Sequence, residues 1–157
     1  MPTYEPLRWN VLPSQLLNNC YNYALDDDDG SYRHPGEKSS GNKLAAADFA
    51  NGALVAKRAI DDGLVPVSRP TGHPDRYPVA LVIMPPGLHP LAPDGDFHWY
   101  RLDDDTKRWS HKQGGGAATD RDLANRVIQD PFFCNRGPYL HFVGYFEVPR
   151  PLRAGRP

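Results

Sequence analysis

The chain is poor in the residues that build metal and disulfide frameworks. Its 157 residues include two cysteines, Cys20 and Cys134, and no Cys-x-x-Cys. Two thiols cannot form a four-thiolate zinc site. The six histidines show neither His-x-x-x-His nor His-Glu-x-x-His spacing, so no metal is expected. A Cys20–Cys134 disulfide is the most that oxidation allows, and without a secretory signal it is not expected to form.

Long apolar runs are also missing. The longest, Val79 to Met84, has strand length and falls far below the ~20 residues that span a bilayer. The segment Met1-Pro2-Thr3-Tyr4-Glu5-Pro6 carries neither a basic nor an apolar stretch, so no Sec-type signal is expected. The expected location is therefore the cytoplasm, or the periplasm and cell wall by way of a specialised secretion system. Excess charge of either sign is absent: 18 basic residues face 19 acidic ones, for a net charge of −1. That balance leaves no electrostatic footprint for nucleic acid or an anionic membrane surface. Apolar residues make up 39% of the chain and charged residues 24%, with a mean hydropathy of −0.62. A soluble globular protein follows, and the length fits one domain over residues 1–157 with N- and C-terminal extensions.

Proline and glycine are abundant, at 17 and 14 residues, and they flank the patterned segments rather than interrupt them. Residues 1–17 are expected to wrap the surface. Gln15 to Ala24 reads as a turn feeding a short helix whose N-terminus Asn18 or Asn19 can cap, and Leu44 to Asp62 as a longer helix ending at Gly63. Val79 to Met84 reads as a central strand buried on both faces. Asp96 to Leu102 and Lys107 to Lys112 form a hairpin around Asp103-Asp104-Asp105-Thr106, and Gly114-Gly115-Gly116 ends it. Asp120 to Ile128 is a short helix or an ordered loop. Tyr139 to Val148 is a final strand, and Arg150 to Pro157 a frayed tail. Helices followed by strands predict an α+β fold, with helices packed on a small antiparallel β-sheet.

The chemistry concentrates on Cys20, His98 and His111. A free thiol is only a few per cent ionised at neutral pH, given a pKa of ~8.5. A helix start and a neighbouring imidazolium both favour the thiolate, and together can bring its pKa below ~7. Cys20 falls in the first turn of the capped helix. If His98 and His111 face each other across the hairpin, both rings lie on one face of the sheet. One then serves as base and the other orients it. Alternation puts Asp96, His98 and Tyr100 on one face, and Phe97, Trp99 and Arg101 on the other.

Asn19-Cys20-Tyr21-Asn22-Tyr23-Ala24, Asp96-Phe97-His98-Trp99-Tyr100-Arg101, Trp109-Ser110-His111-Lys112 and Tyr139 to Pro149 resemble a group of bacterial proteins labelled as similar to an "insoluble matrix shell protein". More loosely, the order of thiol, strand histidine and next-strand histidine is similar to that of the NlpC and CHAP cysteine peptidases, which have a papain-like fold. That resemblance implies Cys20 as nucleophile, His98 as base and His111 as orienting residue, with no cofactor. It also implies a peptide or amide substrate, above all the stem peptides of bacterial peptidoglycan. The protein would then be an amidase or endopeptidase, with a secreted antibacterial effector and a protein inhibitor as the setting this implies. Related folds act as deamidases or acyltransferases, and a catalytically silent binding or structural domain is the reading from another class. Two features depart from the peptidase pattern: the long interval between Cys20 and His98, and Asn19 in place of the usual aspartate before the cysteine.

Other residues carry weaker signals. Asn22, Trp99 and Trp109 are candidate substrate-binding residues, with helix-surface and core roles as the alternatives. Asp26-Asp27-Asp28-Asp29-Gly30 fails the EF-hand pattern because Leu25 and Gly36 occupy its first and last ligand positions, so a solvated acidic turn is expected. His34, His73 and His89 lie in proline-flanked loops, His141 reads as a packing or surface residue, and Cys134 has no assigned role.

Overall fold

The computed structural model describes residues 1–149; the tail expected at 150–157 lies outside the described residues. Five short α-helices precede the sheet: α1 (Pro6–Trp9), α2 (Ser14–Leu17), α3 (Cys20–Ala24), α4 (Glu37–Ser40) and α5 (Gly52–Asp61). The strands are β1 (Val65–Val67), β2 (Arg76–Met84), β3 (Asp96–Leu102), β4 (Trp109–Lys112), β5 (Ala118–Thr119) and β6 (His141–Pro149). They form one six-stranded sheet in the order β1-β6-β2-β3-β4-β5, and every pairing is antiparallel. The fold is therefore α+β, as the pattern of segments predicts.

The boundaries moved where side chains cap the backbone. The short helix expected within Gln15–Ala24 is α3, capped by the Asn19 side chain, and the segment that feeds it is itself a helical turn, α2, ended by the extended Asn18. The helix predicted from Leu44 begins only at Gly52, where the Asn51 side chain accepts the Leu54 N–H. Gly52 fits there for a packing reason: a Cβ would lie 2.9 Å from Val143 Cγ2. Residues 120–128 are an ordered loop held by the Trp109↔Ile128 and Arg121↔Val127 bridges.

The sheet buries both faces. Val79, Leu81, Ile83, Phe97 and Trp99 pack with Tyr21, Ala24, Val55 and Ala59 of α3 and α5. Ala80, Val82, Met84 and Tyr100 face the other way, under Ile128 and Tyr139. This explains the unbroken apolar run of β2, which lies between β6 and β3.

Helix α3 is five residues long and cannot stand on propensity alone. A buried cation holds each end instead. Near its C-terminus, Arg101 donates to the Tyr23 carbonyl at 2.9 Å and to Asp103 Oδ1 at 2.9 Å, with its guanidinium 3.9 Å from the centre of the Tyr23 ring. Near its N-terminus, Lys112 donates to the Asn18 carbonyl at 2.5 Å.

Candidate active site

Cys20 is the first residue of α3, as expected, and its helix start is fully capped. Asn19 Oδ1 accepts the N–H groups of Tyr21 and Asn22, and Asn22 Oδ1 accepts the Asn19 N–H. His98 lies on β3 and His111 on β4. The two rings meet, His98 Nε2 to His111 Nδ1, at 2.7 Å. They do so diagonally, because the register sets His111 opposite Tyr100 and stacks the two rings at 4.7 Å.

The hydrogen-bond chain fixes the tautomers. His111 Nε2 lies 2.9 Å from the Arg121 carbonyl, which can only accept, so that nitrogen carries the proton. Burial lowers the pKa of both histidines, and the two rings oppose each other's charge at His98. Both rings are therefore neutral near pH 7. His111 Nδ1 is then an acceptor, His98 Nε2 donates to it, and His98 Nδ1 is left with a free lone pair.

Cys20 and His98 line the same cavity of about 120 Å³, together with Asn19, Tyr32, His34 and Phe49, and with Asp96, Phe97, Gly114 and Tyr139. Helix α3 packs on the Trp99 side of β3, with the Tyr21 and Trp99 rings 5.4 Å apart, while His98 stands on the Tyr100 side. The β3–β4 register ends at Tyr100↔His111, so Asp96 to Trp99 present an edge that β4 does not cover. The Trp99 N–H faces the Cys20 sulfur across that edge.

The electrostatics differ from the sequence expectation. The Cys20 thiol is pushed up to about 12, first by burial and then by the Asp96 carboxylate. The Trp99 and Cys20 amides and the Lys112 ammonium act in the opposite direction and do not overcome it. The five-residue helix and its cap are outweighed by desolvation.

Three candidate substrate contacts take other roles. Asn22 is fully buried. Its amide donates to the Asp27 carbonyl, Asp29 Oδ1 and Ser31 Oγ, while its oxygen also accepts the Arg33 N–H at 2.8 Å. It knits the loop after α3. Trp99 is a core residue against Phe146 and Tyr21, and Trp109 packs near Tyr145 on the opposite face. None of the three lines the cavity.

The acidic run is a partly solvated turn whose carboxylates are ion-paired. Arg8 bonds Asp26 and Asp28 at 3.1 and 2.8 Å, and Arg33 bonds Asp27 and Asp29 at 3.3 and 2.6 Å. Asp26 is 2% exposed and also meets Arg101. Among the described residues, no group of three or more His, Cys, Asp or Glu is arranged to hold a metal ion. Both cysteines are free thiols, and His141 is exposed.

Asp96, Tyr139, Tyr32 and His34 also line the cavity and are not among the residues that chain order and residue type single out. Only the place of Asp96, two residues before His98 on the same strand face, was available as a signal.

No protein-family model matches the chain, and no solved structure does. Insoluble matrix shell protein 1 of Ruditapes philippinarum is 34% identical over 145 residues, which cover 92% of this chain and 88% of that protein.

Proposed function

The chain belongs to the family of insoluble matrix shell protein 1; that name states a material and no reaction, and we propose from the site itself that the protein is a cysteine hydrolase of peptide or amide bonds. The observation that carries this reading is the 2.7 Å contact between His98 and His111, with His98 lining the same cavity as Cys20. We read the thiol-bearing helix start beside strand histidines as papain-like.

Burial disfavours both a thiolate and an imidazolium before substrate arrives. His98 therefore acts as a general base during attack rather than as half of a standing ion pair. Its free Nδ1 takes the Cys20 proton as the sulfur adds to the carbonyl carbon. The Cys20 N–H is one donor to the developing oxyanion, alongside a second that is not assigned. His98 returns the proton to the leaving amine, and water attacking with His98 as base releases the acid. His111, fixed on the Arg121 carbonyl, keeps His98 in the reactive tautomer. Stem peptides of bacterial cell walls are the first substrate class to test, and an exported effector with a protein inhibitor fits the same reading. A deamidase or acyltransferase would use the same acyl-enzyme with a different acceptor.

The raised thiol pKa favours a second reading, a catalytically silent binding or structural domain, and the relative's name agrees with it. Wild type and Cys20→Ala incubated with muropeptides and compared by mass spectrometry test the two. Products that require Cys20 support the hydrolase, and identical profiles remove the cell-wall substrate. A Cys20-acylated protein that persists until an amine is added points to the acyltransferase.

A further inference from the structure

We propose that the cavity beside Cys20 is an ammonium-recognition pocket, in which Asp96 and His34 accept the N–H donors of a primary ammonium carried by the substrate close to its scissile carbonyl. The word substrate rests on the hydrolase reading, whereas the pocket rests on its walls alone.

Two acceptors on those walls lack a full set of donors. Asp96 Oδ2 accepts the Tyr139 hydroxyl at 2.8 Å, and Oδ1 accepts the Phe97 N–H at 2.9 Å. A carboxylate offers about four lone-pair sites, so acceptor capacity remains. Among the described residues no cationic side chain forms an ion pair with it. His34 lines the same cavity from the loop before α4. Burial is the largest cause lowering its pKa, so the ring is neutral near pH 7, and with the proton on Nε2 its Nδ1 is an acceptor. Its Nδ1 is buried with no hydrogen-bond partner among the described residues. A buried acceptor without a donor costs about 1–3 kcal/mol. An ammonium has three donors and no acceptor, which matches what the cavity lacks.

Shape and π-electrons agree. The rings of Tyr32, Phe49, Phe97 and Tyr139 line the same space, and His34, Phe49 and Phe97 pack edge to face with centroids 5.3 to 5.8 Å apart. Aromatic walls around a carboxylate attract a desolvated cation. At about 120 Å³ the cavity is somewhat smaller than the ~150 Å³ void that holds benzene. An aminomethyl or α-ammonium group fits, and a bulky side chain does not. The Lys112 ammonium is no competitor, because the carbonyls of Gln15, Asn18 and Gly114 accept all three of its donors and it does not line the cavity.

Occupancy would also act on the thiol. Asp96 is the second cause of the raised Cys20 pKa, and a bound ammonium cancels that repulsion. A matching substrate then activates its own nucleophile, while an anionic one meets a carboxylate and an unreactive sulfur.

Methanethiosulfonates of matched size test this on the full chain, with labelling at Cys20 read by peptide mass spectrometry. Each reagent leaves its thioalkyl group on the sulfur as a disulfide and departs as methanesulfinate. The 2-aminoethyl reagent is expected to label Cys20 about tenfold faster than the 2-sulfonatoethyl reagent, each normalised to the neutral methyl reagent. Asp96→Asn should bring that ratio close to one. Asp94→Asn, which changes an exposed carboxylate nearby, should leave it intact. Equal wild-type rates, a preference that survives Asp96→Asn, or no labelling by any of the three reagents would overturn the proposal. A charge preference without Cys20-dependent hydrolysis keeps the pocket and removes the hydrolase; hydrolysis without a charge preference does the reverse.

Discussion

The ammonium of Lys112 lies 2.5 Å from the Asn18 carbonyl, two residues before Cys20. Through that bond, and its companions to Gln15 and to Gly114 at 2.7 Å, strand β4 holds the start of the helix that carries the thiol. Lys112 is fully buried, and burial brings its pKa down to about 8. Three carbonyls would lose their donor in Lys112→Met. The expected cost is about 3 kcal/mol, read from urea unfolding, with Cys20 becoming easier to alkylate. A Lys112→Met protein as stable as wild type would show that the carbonyl cradle does not hold α3.

Part of this arrangement is legible in the sequence. Val79 to Met84 announces a strand buried on both faces, because no residue in it suits a wet one. The alternation of Asp96 to Leu102 likewise assigns every side chain of β3 to its observed face. Cys20, His98 and His111 follow from residue type and chain order. The Asn19 cap follows from residue type as well, whereas the start of α5 does not, because Asn51 acts through a side-chain cap whose geometry a hydrophobic pattern does not record. His34 and Tyr139 are hidden for another reason. They reach the cavity from loops far away in the chain, where no period marks which residue will point inward.

Acid should destabilise the protein through its histidines. His98 and His111 have folded pKa values below the ordinary value of 6.5, so the unfolded chain binds more protons as the pH falls. Their contribution is complete above about pH 6.5 and shrinks as the pH drops toward the folded values. Each contributes a slope of at most about 1.4 kcal/mol per pH unit. Urea midpoints measured between pH 7 and pH 5 should therefore fall. The slope should be shallower in His98→Gln, and an unchanged slope would mean that His98 is not buried neutral.

Replacing His111 separates orientation from proton transfer. His111→Ala removes the acceptor for His98 Nε2, so the ring loses its preferred tautomer. Any Cys20-dependent turnover should fall about a hundredfold. His111→Asn offers a carbonyl oxygen in a similar place and should recover much of that loss. Equal effects from the two substitutions would argue against an orienting role.

Gly95 fixes where β3 begins. Its φ of +84° is costly for other residues, and a Cβ there would lie 2.4 Å from the Met84 carbonyl oxygen and 2.7 Å from Ala50 Cβ. Both neighbours are short of room to yield, since one is backbone paired in the sheet. Gly95→Ala should cost about 2–4 kcal/mol and displace Asp96 with it. Thermal unfolding reads the first effect. Loss of the charge preference in thiol labelling reads the second.

The pH dependence of Cys20 alkylation tests the account of its thiol. Burial is the larger cause of the shift to about 12 and Asp96 the smaller one. The iodoacetamide rate of the empty protein should therefore keep rising through pH 10 without reaching a plateau, because alkylation requires the thiolate. Asp96→Asn removes only the lesser cause, so its curve should move to lower pH yet remain above that of a free thiol near pH ~8.5. Lys112→Met removes a favourable charge and should move the midpoint to higher pH, while the loosening of α3 raises the overall rate through access. The neutral methyl thiosulfonate, which reports access, separates those two effects. A wild-type midpoint below pH 7 would mean that the imidazole of His98 holds a standing thiolate. Attack would then begin from an ion pair and not from a thiol that gives up its proton as the carbonyl arrives.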